Sequence, residues 1–202
     1  MLGVVALIAT GCGATHHGAS VATSSGPSGP QLHGLVPTPL LSLPRFTLTD
    51  TAGHPFAFAA RARGRLTYLY FGYTHCPDVC PLTMGNLAAA LRRATPALRR
   101  KVQVVFVTVD PRRDTPRVLR AWLNNYNPSF IGLTGSEQAI RRAARDSGIP
   151  LPPPPRKQSN SDGVVHSSFV FPYSPDGHAH VLYTQGFSAL DYAHDMRILA
   201  RL

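Results

Sequence analysis

The sequence is poor in cysteine, in acidic residues and in lysine, and each scarcity limits what the protein can be. Of its 202 residues only three are cysteines, and only Cys76 and Cys80 lie close together. A structural zinc site normally has four protein ligands, and a second cysteine pair that would complete one is missing. A chain of this length buries a single substantial core, so one folded domain is the expectation.

The scarcity of acidic residues makes the chain strongly basic. Ten aspartates and glutamates stand against 20 lysines and arginines, which gives a formal net charge of +10. Two of the 20 are lysines, so arginine supplies almost all of the charge. The arginines are scattered over 61–65, 92–100, 112–120 and 141–145 without interleaved aromatic residues, which argues against nucleic-acid binding. A basic surface that faces anionic lipid or an acidic partner is favoured instead.

The N terminus indicates an exported protein. The apolar run Leu2–Gly11 is too short to span a bilayer, and Cys12 follows it. The run resembles the end of a bacterial lipoprotein signal, although Ala9 stands where leucine is usual and no basic residue precedes it. We therefore expect residues 1–12 to be a signal segment with Cys12 as a lipidation candidate. The mature protein would be anchored at the outer face of the bacterial cytoplasmic membrane; a soluble secreted or periplasmic protein is the alternative.

The remainder divides into a tether and a folded part. Residues 13–39 consist largely of Gly, Ser, Thr, Pro and His and predict a flexible tether, whereas residues 40–202 predict one domain. Continuous apolar runs at 66–73 and 102–109 predict strands buried on both faces. Thr115 followed by Pro116 predicts a helix start. Further predicted elements are a hairpin (46–49 and 55–58), helices at 80–93, 116–125, 136–148 and 190–202, and strands at 130–133, 164–171 and 180–185.

This alternation predicts an α/β fold with a central mixed β-sheet flanked by helices and an extra N-terminal β-hairpin. Two segments do not follow the simple pattern. The proline-rich segment 149–163 predicts a long loop of the kind that is usually functional or disordered. Pro172 lies inside a run that otherwise predicts a strand, which indicates a bulge or a sheet edge there.

The segment FGYTHCPDVCPLTM (71–84) contains the cysteine pair, where a buried strand passes into a helix. Unpaired backbone N–H groups and the helix dipole stabilise a thiolate at such a place, above all at Cys76. Three uses are open: a disulfide, a redox couple or a metal site. Thioredoxin-type enzymes keep two residues between their cysteines, whereas this chain keeps three. A soft metal held by two thiolates and one imidazole suits the pair better, which points to copper.

Three motifs extend this interpretation: YFGYTHCPDVCPLTM (70–84), VVFVTVDPRRDTP (104–116) and HSSFVF (166–171). With them the chain resembles the Sco/SenC family, thioredoxin-fold copper proteins that serve the assembly of cytochrome c oxidase. The resemblance implies a thioredoxin-like fold and one copper ion per chain, Cu(I) or Cu(II), held by Cys76, Cys80 and His166. It also places Asp110 near the metal. Val165 departs from the family pattern, because aspartate commonly precedes the ligand histidine.

The partners follow from the same resemblance. They are the copper-centre subunit of cytochrome c oxidase and, in addition, other periplasmic copper chaperones or thiol reductants. A copper-delivery role requires no substrate turnover, so the protein is not expected to be an enzyme in that case. The alternative is a thiol–disulfide oxidoreductase, in which Cys76 attacks, Cys80 resolves and oxidase cysteines are kept reduced. His75 and Met84 belong to the same motif. Strand alternation is expected to turn His75 away from Cys76, and Met84 is expected to pack in the helix core.

Overall fold

The structure is a computed structural model, and it describes residues 31–149, 151 and 168–202. Within these residues eight strands form one mixed sheet in the order β1-β8-β7-β4-β5-β6-β2-β3. The strands are β1 (Leu41–Ser42), β2 (Thr47–Asp50), β3 (Pro55–Ala57), β4 (Leu66–Gly72), β5 (Val102–Thr108), β6 (Ile131–Thr134), β7 (Val170–Tyr173) and β8 (His178–Ala179). The helices are α1 (Phe58–Ala62), α2 (Val79–Arg93), α3 (Pro96–Lys101), α4 (Pro116–Asn124), α5 (Glu137–Asp146) and α6 (Ala189–Leu199).

The centre of the sheet is the parallel pair β4 and β5, and every residue of both strands is buried. Successive side chains of β4 alternate between the two faces of the sheet. Tyr68 and Tyr70 pack into a core with α2, α4 and α6, whereas Leu69 and Phe71 pack into a second core with α5. Burial on both faces explains why these strands are continuous apolar runs. The predicted strands at 66–73 and 102–109 are confirmed.

The helix starts follow local capping signals. The hydroxyls of Thr115 and Ser136 accept hydrogen bonds from backbone N–H groups in the first turns of α4 and α5, and Pro116 occupies the first helical position. Gly148, with φ +72°, follows the end of α5 in the left-handed region that favours glycine. These helices and the β2–β3 hairpin are confirmed. The short helices α1 and α3 were not predicted, because neither is long enough to show an amphipathic period.

Pro172 lies in β7, an interior strand between β4 and β8. On one side it stands opposite Tyr68 of β4 in regular register. On the other side Val170 pairs with Tyr183 and Tyr173 pairs with Ala179. Between these two pairs, the three residues 180–182 lie opposite the two residues 171–172 of β7. A proline has no N–H to donate, and the ladder bulges where that donor is missing. Of the two predicted alternatives, bulge and edge, the structure has the bulge.

The folded unit begins earlier than the predicted boundary between tether and domain. The compact unit starts at Gln31, and the backbone N–H groups of His33 and Gly34 donate to the carboxylate of Asp195 at 2.9–3.0 Å. Leu35 then pairs with Leu182. The predicted tether therefore ends before residue 31. The buried Asp195 carboxylate and the pairing of Leu35 attach the following segment to the domain.

None of the helices among the described residues is both long and apolar enough to cross a membrane. The predicted signal segment 1–12 with Cys12, the first part of the tether and most of the proline-rich segment lie outside the described residues. The predictions for them stay predictions.

Candidate metal centre

The two cysteines lie where β4 passes into α2. After Gly72 the chain turns, and Asp78 caps α2 by accepting a hydrogen bond from the Val79 N–H at 2.6 Å. Cys80 lies in the first turn of the helix, and its backbone N–H donates to Sγ of Cys76 at 3.4 Å. The helix start therefore directs a backbone donor at the Cys76 sulfur, which is the thiolate-stabilising position predicted for it. Both cysteines are thiols and both are buried.

The Cys80 sulfur is enclosed by aromatic side chains. The hydroxyl of Tyr70 donates to Sγ of Cys80 at 3.4 Å. Gly72 makes room for this sulfur, because a Cβ atom built on the glycine would lie 2.8 Å from Sγ and 3.0 Å from the rings of Phe106 and Tyr70. A side chain of any size at position 72 would thus displace the sulfur or a ring.

Burial governs the protonation of Cys80. Loss of hydration raises the pKa of this thiol, the hydrogen bond from Tyr70 opposes that rise, and the neighbouring Cys76 adds to it, so that the pKa of Cys80 is about 12. Burial also raises the pKa of Tyr73 and Tyr126, and proximity to both cysteines adds to it. The Cys80 sulfur is therefore protonated near neutral pH, and a thiophilic metal must displace that proton to bind.

Asp114 fixes the segment that leads to the cysteines. This carboxylate is fully buried; it accepts hydrogen bonds from the Thr74 N–H at 2.9 Å, the Thr74 hydroxyl at 2.5 Å and the Thr108 hydroxyl at 2.7 Å. Thr74 lies just after β4 and Thr108 ends β5, so Asp114 joins the ends of two parallel strands at the edge of the sheet that leads to the cysteines.

Asp114 was not among the predicted site residues, whereas Asp110 of the same motif was. The role of Asp114 depends on the pairing of β4 with β5, which brings the hydroxyls of Thr74 and Thr108 to its carboxylate.

The SCO1/SenC family model matches residues 39–201. The chain belongs to the SCO1/SenC family. It is 34% identical over 136 residues, 67% of its length, to a protein of Stutzerimonas stutzeri whose name describes it as copper-binding. It is 35% identical over 133 residues, 65% of its length, to the mitochondrial protein SCO2 of Saccharomyces cerevisiae. The chain spans 66% of the length of the first relative and 44% of the second.

Solved structures confirm the thioredoxin-like fold of this SCO1/SenC protein. Apo Sco1 from Thermus thermophilus superposes with a TM-score of 0.75 at 29% identity, covering 85% of this chain and 99% of the other. Yeast Sco1 with copper bound superposes with a TM-score of 0.70 at 28% identity, covering 79% and 89%. BsSco, described as having a disulfide switch and as a member of the Sco family of cytochrome c oxidase assembly proteins, superposes with a TM-score of 0.62, covering 85% and 98%; at 24% identity it shows the fold alone.

The other predicted site residues of this SCO1/SenC protein lie in different surroundings. His166 is outside the described residues, and its role as a ligand stays a prediction. Asp110 forms an ion pair with Arg113, and its backbone N–H donates to the Thr108 hydroxyl at 3.0 Å. The predicted role of Asp110 beside the metal stays a prediction.

His75 lies in the turn after β4, so strand alternation does not determine its direction, whereas Met84 packs in the core as predicted. His75 is 53% exposed and turns its Nδ1 towards the Thr74 hydroxyl, at 3.0 Å, and towards Asp114, at 3.6 Å. Met84 is fully buried in the core that also contains the cysteines.

Proposed function

We propose that the protein is a copper metallochaperone that helps to assemble the binuclear copper centre of cytochrome c oxidase. One copper ion would be bound by Cys76, Cys80 and His166. The observation that carries the proposal is the pair of thiols at the start of α2, where the Cys80 N–H donates to the Cys76 sulfur. Membership of the SCO1/SenC family and the copper-bound yeast Sco1 structure support it.

The chemistry of the donors suits such a cargo. Thiolates are soft ligands that favour Cu(I), and one imidazole in addition allows Cu(II). The backbone donor at Cys76 and the Tyr70 hydroxyl at Cys80 both stabilise sulfur in its anionic form once the proton has left. With only three protein ligands, the ion can pass to a partner by ligand exchange, and no bond in a substrate has to be broken.

The proposal is tested by copper stoichiometry and affinity in the reduced full chain. We expect one copper per chain in the wild type, and loss of tight Cu(I) binding in Cys76→Ser and Cys80→Ser. His166→Ala should weaken Cu(II) binding much more than Cu(I) binding. His75→Ala is the matched control, because this imidazole lies beside the motif and turns its Nδ1 to Thr74; its affinity should equal the wild-type value. A copper content near zero in the reduced wild type would refute the proposal.

A second candidate is the thiol–disulfide oxidoreductase. The Cys76 sulfur would attack a partner disulfide and release one partner thiolate. The Cys80 thiolate would then attack the Cys76 sulfur of the mixed disulfide, which releases the second partner thiolate and forms the Cys76–Cys80 disulfide. The backbone donor at Cys76 favours it as the attacking residue. Rescue of oxidase assembly by His166→Ala under scarce copper separates the two candidates. Full rescue favours thiol reduction, and failure favours copper handling.

We also propose that Cys12 is lipidated and anchors the protein at the outer face of the cytoplasmic membrane. The small residues before Cys12 support this location. Cys12→Ser should then abolish fatty-acid labelling and move the protein from the membrane fraction. Equal labelling of wild type and variant would refute lipidation at Cys12.

A further inference from the structure

A groove of about 600 Å³ lies between the end of α2, the short helix α3 and α6. The buried side of α6 packs into the core through Tyr192, Met196 and Leu199. Residues three and four positions apart lie on one side of a helix, and those on the opposite side of α6 face the groove. They are Leu190, Ala193 and Arg197, and Arg201 follows just past the helix end.

The floor of the groove is apolar. It is formed by short side chains from all three helices and the link between α2 and α3: Ala94, Ala97, Leu98, Ala193 and Ala200. Leu190 also lines the groove, and 63% of its surface is exposed. Covering this apolar surface with an apolar part of a ligand would release the water that contacts it.

Each lysine and arginine of the groove lies beside this apolar floor, and no carboxylate of the described chain lines it; the four basic residues are Arg93, Lys101, Arg197 and Arg201. All four are exposed, and none of them forms an ion pair with any residue that the structure describes. Guanidinium and ammonium groups bind phosphate oxygens through charge-assisted hydrogen bonds. An apolar floor bordered by unpaired cations therefore fits a ligand that has an apolar part and an anionic phosphate.

The N-terminal segment joins the domain beside this groove. The backbone N–H of His33 donates to Asp195 of α6. The centroid of the His33 ring lies 4.1 Å from that of His194, which lines the groove. The apolar run 2–11 precedes this attachment in the chain. A chain held at a membrane by its N terminus is thus held from the side of the domain that carries the groove.

We propose that this groove binds the anionic phospholipids of a bilayer, with headgroup phosphates at the four basic residues and acyl chains against the apolar floor. The inference depends neither on lipidation of Cys12 nor on copper binding. Cys80 lies in the first turn of α2 and Arg93 is its last residue, so the two are about 20 Å apart along the helix. A bilayer at the groove therefore leaves the cysteines free for a partner.

The test measures binding of the full chain with Cys12→Ser, which prevents lipidation, to sedimented lipid vesicles. The vesicles contain phosphatidylglycerol and phosphatidylcholine in equal parts, or phosphatidylcholine alone. We expect about tenfold tighter binding to the anionic vesicles. This preference should disappear in about 0.5 M NaCl, because salt screens exposed charges.

Two sets of substitutions separate the groove from a generally basic surface. Arg197→Gln with Arg201→Gln should weaken binding to the anionic vesicles by about 10- to 30-fold, because each basic residue near such a surface contributes about fivefold. Leu190→Ser should weaken it by about fivefold through lost apolar contact, with the net charge unchanged. All three residues are exposed, so the Tm of each variant should match that of the parent.

The matched control is Arg142→Gln with Arg145→Gln. These arginines are exposed on α5, which packs against the other face of the sheet, and Arg145 also lies in the last turn of its helix. The control removes the same net charge and should bind the anionic vesicles within about twofold of the parent.

Three results would overturn the proposal. The parent could bind both kinds of vesicle equally, or the α5 control could weaken binding as much as the α6 variant. A polyglutamate peptide could bind the parent while the vesicles do not, which would assign the groove to an acidic protein. The copper content of every variant should equal that of the parent, so failure here leaves the proposed copper function untouched.

Discussion

Replacing Asp114 should destabilise the protein and loosen the segment that carries the cysteines. The buried carboxylate accepts three hydrogen bonds, two from Thr74 and one from Thr108. A hydrogen bond to a charged group contributes about 1.5–3 kcal/mol. The sum overstates the loss, because the two hydroxyls can rotate to other acceptors and bonds within one network are not additive. The Thr74 N–H has no such freedom. We therefore expect Asp114→Ala to lower the free energy of unfolding by about 3–5 kcal/mol.

The assay is guanidinium chloride denaturation of the reduced protein at neutral pH. Asp110→Asn is the matched control, because it removes a carboxylate of the same motif whose partner, Arg113, is 44% exposed; it should cost less than about 1 kcal/mol. Asp114→Ala should also weaken copper binding, because Asp114 fixes the approach to Cys76. Equal destabilisation by the two variants would show that Asp114 does not hold this edge of the sheet.

Two further predictions concern the surroundings of Cys80. Gly72→Ala places a Cβ atom 2.8 Å from the Cys80 sulfur and should cost about 1–3 kcal/mol in thermal denaturation. Gly85→Ala in the same helix as Cys80 meets no atom within 4 Å and should stabilise by up to about 1 kcal/mol; equal effects would argue against close packing at Gly72. Burial raises the pKa of Cys80 from 9.0 to about 12, so the folded state favours the neutral thiol. The contribution of this preference to the free energy of unfolding is complete below pH 9 and is lost as the pH rises from 9 to 12. The loss amounts to roughly 4 kcal/mol and should be absent in Cys80→Ser.

Local signals in the sequence predict much of this fold. A threonine before Pro116, a serine before α5 and continuous apolar runs at β4 and β5 each specify an element through its own residues. The attachment of residues 31–39 has no such signal. It depends on backbone N–H groups that every residue carries, and on Asp195, which lies 162 positions after His33. The composition of residues 31–39 therefore predicts a flexible tether, whereas in the structure this segment is attached to the folded domain.

The candidate site divides in the same way. Spacing and chemistry select Cys76 and Cys80 as candidates, but they do not say how the two residues meet. The structure begins α2 at Val79, with Asp78 as the cap, and the contact between the cysteines is the hydrogen bond from the Cys80 N–H to the Cys76 sulfur. Asp114 could not be selected over Asp110 from the motif alone. The choice depends on β4 lying beside β5, which places the hydroxyls of Thr74 and Thr108 around one carboxylate.

The burial of Cys80 bears on metal transfer. It raises the pKa of this thiol to about 12, so the sulfur carries a proton near neutral pH. In the proposed function a copper ion must displace the Cys80 proton when it binds, and a proton takes the place of copper when it leaves. The buried thiol thus lowers the affinity for copper below that of two preformed thiolates. Lower affinity favours release to a partner, so the aromatic enclosure of Cys80 suits a protein that passes its cargo on rather than one that retains it.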